Sequence, residues 1–490
     1  MRSIPKVVFL IVFSLPLLAQ KSTNQNPTWW AKYQYLLNNP AGPSHGATSS
    51  LTVGANVDMS NECGPQSETF IATNPANPKN LAGGSNEIFR DPMRGYSSAD
   101  GGSSWTGVDL PLPPPKGNGI DFGSDPSLAF DTQGNTFYSY IVVFFGNGNG
   151  INQTEMAVAR SSDGGKTYPQ VTFFSAAGGT DHFNDKPMIT TDTNAASPFR
   201  DSVYTAWDTS GGSTAGGIRF ARSTDSGATF SVTRIDNPSG QGHGIGAVPF
   251  VGPNGEVYAA WNDFGANTIA FNRSFDGGVT WDTPRVVALK NADFDLGIPA
   301  EEFRRALVYP ACAADRSSGP HRGRLYCSWM DLKPSGNSDI FLSFSDDQGT
   351  TWSTPATVTD PLANVDRFNH WMAVDPVTGD VNVAFYDTRN DTTGFRFMTD
   401  YFFTQSTDGG ATFRSPNVRV SSVSSNEHDC NGVFPCVGID YGNQQGDYEG
   451  LTSFNGVSHP IWTDSRFQLS PATGCRTDIL MEEVFTATVK

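Results

Sequence analysis

A chain of 490 residues with a formal net charge of −17 is poorly suited to nucleic acid, because phosphate binding depends on Lys and Arg neutralising the backbone. Aromatic residues make up 12% of it and glycines number 51. Short runs of Val, Ile, Phe, Tyr and Trp alternate with Gly, Asn, Asp, Ser and Pro clusters, a pattern that reads as all-β.

Residues 1–19 carry Arg2 and Lys6, then the uncharged apolar run from Val7 to Ala19, and are followed by the polar stretch KSTNQN. This is the layout of a signal peptide. The apolar run falls short of the roughly 20 residues that span a bilayer, so the mature chain is expected to be exported to the periplasm or the extracellular space, with no membrane span. Residues 20–50 read as a polar N-terminal segment, and residues 51–490 as one repetitive domain. The six cysteines of an exported chain favour disulfides over metal thiolates.

Six boxes begin at Ser98, Ser161, Ser223, Ser274, Ser345 and Ser406: SADGGSSW, SSDGGKTY, STDSGATF, SFDGGVTW, SDDQGTTW and STDGGATF. Their aspartates, Asp100, Asp163, Asp225, Asp276, Asp347 and Asp408, are 51 to 71 residues apart, the period of a propeller blade. Asp and Gly at these positions suit a tight turn whose carboxylate accepts backbone N–H bonds, leaving the terminal aromatic to tuck between sheets. The boxes resemble the Asp-box, or BNR, repeat of the sialidase-like β-propellers. That resemblance implies a structural turn joining the third and fourth strands of each blade.

Before each box come a strand entry and a second strand ending in an aromatic and Asp, as in DKPMITTD with VYTAWD. The pattern recurs once without a box, as GDYEGLTSFNG, HPIWTDSR and TDILMEEV. The expected fold is therefore a seven-bladed β-propeller (alternatively six-bladed) of four-stranded antiparallel blades. The last unit lacks an outermost strand, and the alternating segment Leu51 to Val57 is placed to supply it and close the ring. Cys63 and Cys475 are expected to bridge that closure, Cys312 and Cys327 to pair across adjacent strands, and Cys430 and Cys436 to close a small loop.

With the boxes on one face, strand entries and second-to-third links gather on the other. The entries contribute Glu68, Asp125, Asp185, Lys186, Tyr309, His370, Asp447, Tyr448 and Glu449. The links contribute Arg90, Asp208, Asp263, Asp331, Asp387, Arg389, Asp464 and Arg466, with Arg304, Arg305 and Arg367 near other entries. Carboxylates on opposing walls suit general acid and base for glycoside cleavage, and paired arginines suit a carboxylate ligand. Asp125, Asp447, Tyr448 and Glu449 are the catalytic candidates, and Glu68, Arg305, Arg367, His370, Arg389 and Arg466 the substrate-binding candidates. Turn chemistry and local ion pairs account for many of these residues equally well.

Sialidases place an Arg at the first inner strand within a Phe/Tyr-Arg-Ile-Pro motif, add two clamp arginines and use a Tyr activated by Glu. This chain is similar in having Tyr448 at its last inner entry and in offering Arg305, Arg367, Arg389 and Arg466. It departs at the first inner strand, where SETFIATNP puts Glu68 near that Arg; the near match Phe89-Arg90-Asp91-Pro92 follows the second strand and lacks Ile. Seven units also depart from the sialidase six. No nucleophile elbow, His-Glu-x-x-His or phosphate loop is present, and the glycines at 240, 242, 244 and 246 suggest a flexible blade link. No cofactor is evident, and although DTQGN and DPVTGD offer calcium-type oxygens, a strand turn explains them too. Two functions remain open: a secreted, monomeric carbohydrate-active propeller acting as a glycoside hydrolase or lyase, or a propeller that binds glycans or proteins without catalysis.

Overall fold

The computed structural model describes residues 51–60, 64–88, 90–115, 121–144, 153–178, 183–210, 217–237, 242–428, 445–466 and 482–490. These residues form strands and turns throughout, and none of their segments is a helix long and apolar enough to cross a membrane.

The architecture is a β-propeller of four-stranded antiparallel blades. Sheets begin in chain order with Gln66–Thr73, Asp121–Phe130, Phe183–Thr191, Gly244–Val251, Pro310–Ala314, Arg367–Val374 and Gly450–Phe454. Each of these first strands packs against the next and the last packs against the first, so they ring a central axis. A separate hairpin, Asp295–Ile298 with Glu301–Leu307, stands between the fourth and fifth sheets. Gly244 and Gly246, expected in a flexible link, instead lie within the fourth inner strand.

The closing strand forms where the sequence puts it. Val57–Asp58 pairs antiparallel with Glu483–Thr486 as the outermost strand of the last sheet, and Thr52 N–H donates to the Lys490 carbonyl at 2.8 Å. Pairing first and last segments removes two exposed sheet edges. Cys312 and Cys327 sit directly opposite each other on neighbouring strands and are disulfide-bonded. Cys63, Cys475, Cys430 and Cys436 lie outside the described residues.

All six boxes join third to fourth strands. In each, the Ser hydroxyl donates to one oxygen of the Asp at 2.7–2.8 Å and receives the N–H of the glycine at the fifth box position at 2.9 Å. The following Ser or Thr hydroxyl donates to the other oxygen at 2.5–2.7 Å. The box aromatics then reach the preceding sheet: Phe230 stacks on Phe174, Trp281 meets Phe220 edge-on, and Trp352 meets Phe271. Second strands supply the layer between blades through Trp207, Trp261, Trp329, Trp462 and Phe385, all essentially buried. The aromatic-Asp pattern thus divides its labour, the ring filling the inter-sheet core and the Asp ending the strand at the opposite face.

Candidate active site at the strand-entry face

Five inner strands slip register near their start. At each slip one residue takes a left-handed backbone: Glu68 (φ 51°), Asp125 (63°), Lys186 (47°), Gly246 (67°) and Asn369 (41°). A bulge of this kind re-aims a side chain, and for residues other than glycine it costs about 1–3 kcal/mol that the surroundings must offset. Neighbouring blades provide the offset. Asp125 N–H donates to Asn86 Oδ1 at 2.9 Å, Lys186 N–H to Asp125 Oδ2 at 3.0 Å, and Gly246 N–H to Asp208 Oδ1 at 3.0 Å.

These bulges bring a compact charged group to the entry face. Lys186 is buried, and its Nζ lies 3.6 Å from the centroid of the Tyr309 ring and 3.3 Å from that of Tyr448, with no hydrogen-bond partner among the described residues. Arg304, carried by the inserted hairpin, pairs with Asp447 and reaches Glu68 Oε1 at 3.3 Å. Glu68 also accepts from Asn86 Nδ2 at 2.7 Å. Asp185 lies close enough to Asp125 and Asp208 for their charges to act on it, and Tyr448 donates to the Pro126 carbonyl at 3.1 Å.

Burial dominates the electrostatics here. Burial and then the charges of Asp447 and Asp125 push Glu68 well above the usual carboxylate range; burial and then Asp125 and Asp208 do the same to Asp185. Burial brings Asp208 up to about 7. It also pushes Lys186 down to about 8, against the pull of Asp447, Glu68, Asp125 and Asp185. Like carboxyls this close cannot all ionise, so the group holds protonated acids beside ionised ones.

The other singled-out residues lie in different surroundings. Arg367 is fully buried, donating to Asp387 at 2.8 Å, Asp339 at 3.0 Å and the Asp360 carbonyl at 3.0 Å. Arg389 bonds Asp360 and Asp387, both at 2.6 Å, and Arg466 pairs with Asp464 while covering the Phe485 ring. Arg305 bonds Asp295 at 2.6 Å, and Arg90 bonds Asp109. His370 shares a hydrogen bond with Ser328 at 2.8 Å, and burial pushes its imidazole down to about 4. Glu449 accepts from Thr69 of the first sheet, Tyr386 of the sixth and Thr463 of the last, and burial brings it up to about 8.

The structure therefore unites Glu68, Asp125, Asp447 and Tyr448 with Asp185, Lys186, Asp208, Arg304 and Tyr309, and leaves the four arginines in bracing pairs. Asn86 and Glu301 were not singled out from sequence. Glu301 is fully buried near Arg304 and Asp447 with neither carboxylate oxygen hydrogen-bonded among the described residues. One usable signal was Pro at the strand entry: Asp125-Pro126, Lys186-Pro187 and Tyr309-Pro310 each open an inner strand at the mouth.

No protein-family model matches this chain, and no curated protein matches it. Among solved structures it is similar to the leech intramolecular trans-sialidase, at 12% identity over 74% of this chain and 70% of that one, with TM-score 0.49. It is also similar to the NanB sialidase from Streptococcus pneumoniae (10% identity, 73% and 68% covered, TM-score 0.47). A third is the endosialidase of phage phi92 (9% identity, 89% and 69% covered, TM-score 0.49). In its boxes and four-stranded blades the chain resembles the sialidase-like Asp-box propellers.

Nearer the box face the inner strands line a second space, a cavity of about 230 Å³ walled by Phe70, Leu128, Met188, Trp371 and several threonines. Arg316 is its one charged lining residue among those described. With no carboxyl in its wall, it offers no acid or base. Among the described residues no group of three or more His, Cys, Asp or Glu is placed to hold a metal ion.

Proposed function

We propose that this chain is an exported, monomeric, seven-bladed glycoside hydrolase working at the strand-entry mouth. The observation that carries the proposal is the gathering of Asp185, Asp125 and Asp447 at one mouth, where burial and then the charge of Asp125 raise Asp185 well above the usual carboxylate range. Asp447, 14% exposed at its side chain and paired with Arg304, is the opposing carboxylate. In this scheme Asp185 gives its proton to the glycosidic oxygen as the bond from that oxygen to the anomeric carbon breaks. Water attacks the anomeric carbon, and its proton passes to Asp447. Asp125 keeps Asp185 in its protonated state, and Tyr448 and Tyr309 position Lys186 beside the pair. Seven four-stranded paths and a ring of seven inner strands support the blade count, with the hairpin of residues 295–307 as an insertion.

Chromogenic glycosides of neutral, amino and acidic sugars, offered to the mature chain, test the proposal. Turnover of at least one is expected, and Asp185→Asn and Asp447→Asn should each lower kcat by about 100-fold or more, the range for loss of a general acid or base. Binding without turnover on every glycoside would replace hydrolysis with the glycan-binding alternative. Turnover indifferent to both changes would remove the site.

A further inference from the structure

Among the described residues, the mouth gathers more carboxyl groups than cations. Glu68, Asp125, Asp185, Asp208 and Asp447 come together from four sheets around two cations, Lys186 and Arg304. The arginines that a carboxylate-bearing sugar would require are committed elsewhere: Arg367 and Arg389 to Asp387 and its neighbours, Arg466 to Asp464, Arg305 to Asp295. Arg304 itself is held between Glu68 and Asp447. Among the described residues, an arriving anion would find no free guanidinium at the mouth, only carboxyl groups and two cations already engaged with them.

Two further observations point to what the mouth accepts. Lys186, 2% exposed, presents its Nζ to the faces of two tyrosines and to the surrounding acids, yet no hydrogen bond reaches it among the described residues. Ring faces and carboxylates are the surroundings that an ammonium favours. Behind Arg304, Glu301 is fully buried with neither oxygen hydrogen-bonded among the described residues, so the carboxyl capacity of these residues exceeds the positive charge they supply.

We propose that the mouth binds an amine-bearing, cationic glycan in preference to neutral or anionic ones, through the carboxyls grouped around Lys186 and Arg304. This rests on the mouth being the sugar site. Because burial and mutual repulsion keep several of those carboxyls protonated, a bound ammonium favours their ionisation. Binding at pH 6 therefore releases protons, and an anion would have to take them up.

Isothermal titration calorimetry with three oligosaccharides tests this: the chitosan trimer, the chitin trimer that differs only in N-acetylation, and 3'-sialyllactose. At pH 6 the chitosan trimer should bind at least tenfold tighter than the chitin trimer, and sialyllactose should not bind. Its affinity should fall as salt rises, and its apparent enthalpy should change with the buffer's ionisation enthalpy in the sense of proton release. Asp447→Asn should weaken chitosan binding about tenfold. Asp346→Asn, an exposed acid paired with Arg324 beside a box, should not, which separates the mouth from general attraction to an acidic protein. Equal or tighter binding of sialyllactose, no preference for the amine, equal effects of the two variants, or no binding at all overturns the proposal. Amine-selective binding without hydrolysis of any glycoside leaves it standing and removes only the hydrolase scheme.

Discussion

Replacing Arg367 by Met distinguishes a bracing arginine from one that holds ligand. The guanidinium is 0% exposed, and its donors reach Asp387, Asp339 and the Asp360 carbonyl at 2.8–3.0 Å. Removing one partner of a buried ion pair typically costs about 3–5 kcal/mol, because the abandoned charge stays buried. Here Asp387 keeps Arg389 at 2.6 Å and Asp339 keeps Lys333 at 2.7 Å, which places the expected loss near the lower end, about 3 kcal/mol. The orphaned carbonyl adds about 1 kcal/mol. Since about 1.4 kcal/mol is tenfold in an equilibrium constant, the ratio of folded to unfolded chains falls by more than about a hundredfold. Urea unfolding followed by tryptophan fluorescence should show a clearly lower midpoint for Arg367→Met. Arg367→Lys should fall between, since it keeps the charge without the fork. A variant that unfolds at the wild-type midpoint but loses glycan affinity would refute this placement and return Arg367 to the ligand-binding set.

Gly246→Ala should destabilise the chain and weaken ligand binding together. An added Cβ would come within 2.0 Å of Tyr309 Cδ1 at a φ of +67°; left-handed backbone alone costs about 1–2 kcal/mol in an L-residue. Thermal denaturation and calorimetry measure both effects, and an unaltered melting temperature would contradict this packing. Stability should also peak in mildly acidic solution. The box carboxyls of Asp100, Asp225, Asp276, Asp347 and Asp408 are held down to about 2. At Asp100 and Asp225 the hydroxyl of Ser104 or Thr229 is the main cause, and at the others hydroxyl and N–H donors outweigh burial. Their folded values lie below the unfolded one, so this contribution is complete above about pH 4 and is lost as pH falls towards 2. Asp208 and Glu449, raised by burial to about 7 and about 8, act in the opposite sense. Their contribution is full below about pH 4 and is lost as pH rises through 7 and 8. A melting temperature that climbs steadily from pH 4 to pH 8 would contradict the second half of this argument, and Asp208→Asn should flatten the fall.

Much of the scaffold was legible because its signals are local. A box needs eight contiguous residues to define its turn, and its hydrogen bonds in the structure run between residues two to four positions apart. The same locality explains why the segment from Leu51 to Val57 could be recognised as the closing piece, although only Val57–Asp58 forms a strand there and Val53 adds a single bridge, and why Cys312 and Cys327, opposite each other on neighbouring strands, could be paired. The inner-strand glycines misled for a related reason. Gly246 looks like a loop residue, yet its positive φ serves a bulge inside a strand, where Tyr309 leaves no room for a Cβ.

The sequence by itself determined the repeat, the turns, the closing strand and the face on which chemistry collects, since each depends on contiguous residues and on strand parity. Only the tertiary structure decided which charges meet. Glu68, Asp125, Lys186, Arg304 and Asp447 are drawn from positions spread over nearly 380 residues (447 − 68 = 379), and ring closure makes the ends of that span neighbours. Aspartates ending the second strands look alike in sequence. Asp387 became a brace for two arginines, whereas Asp208 joined the mouth by capping Gly246 N–H, because what lies across the blade boundary differs at each position around the ring.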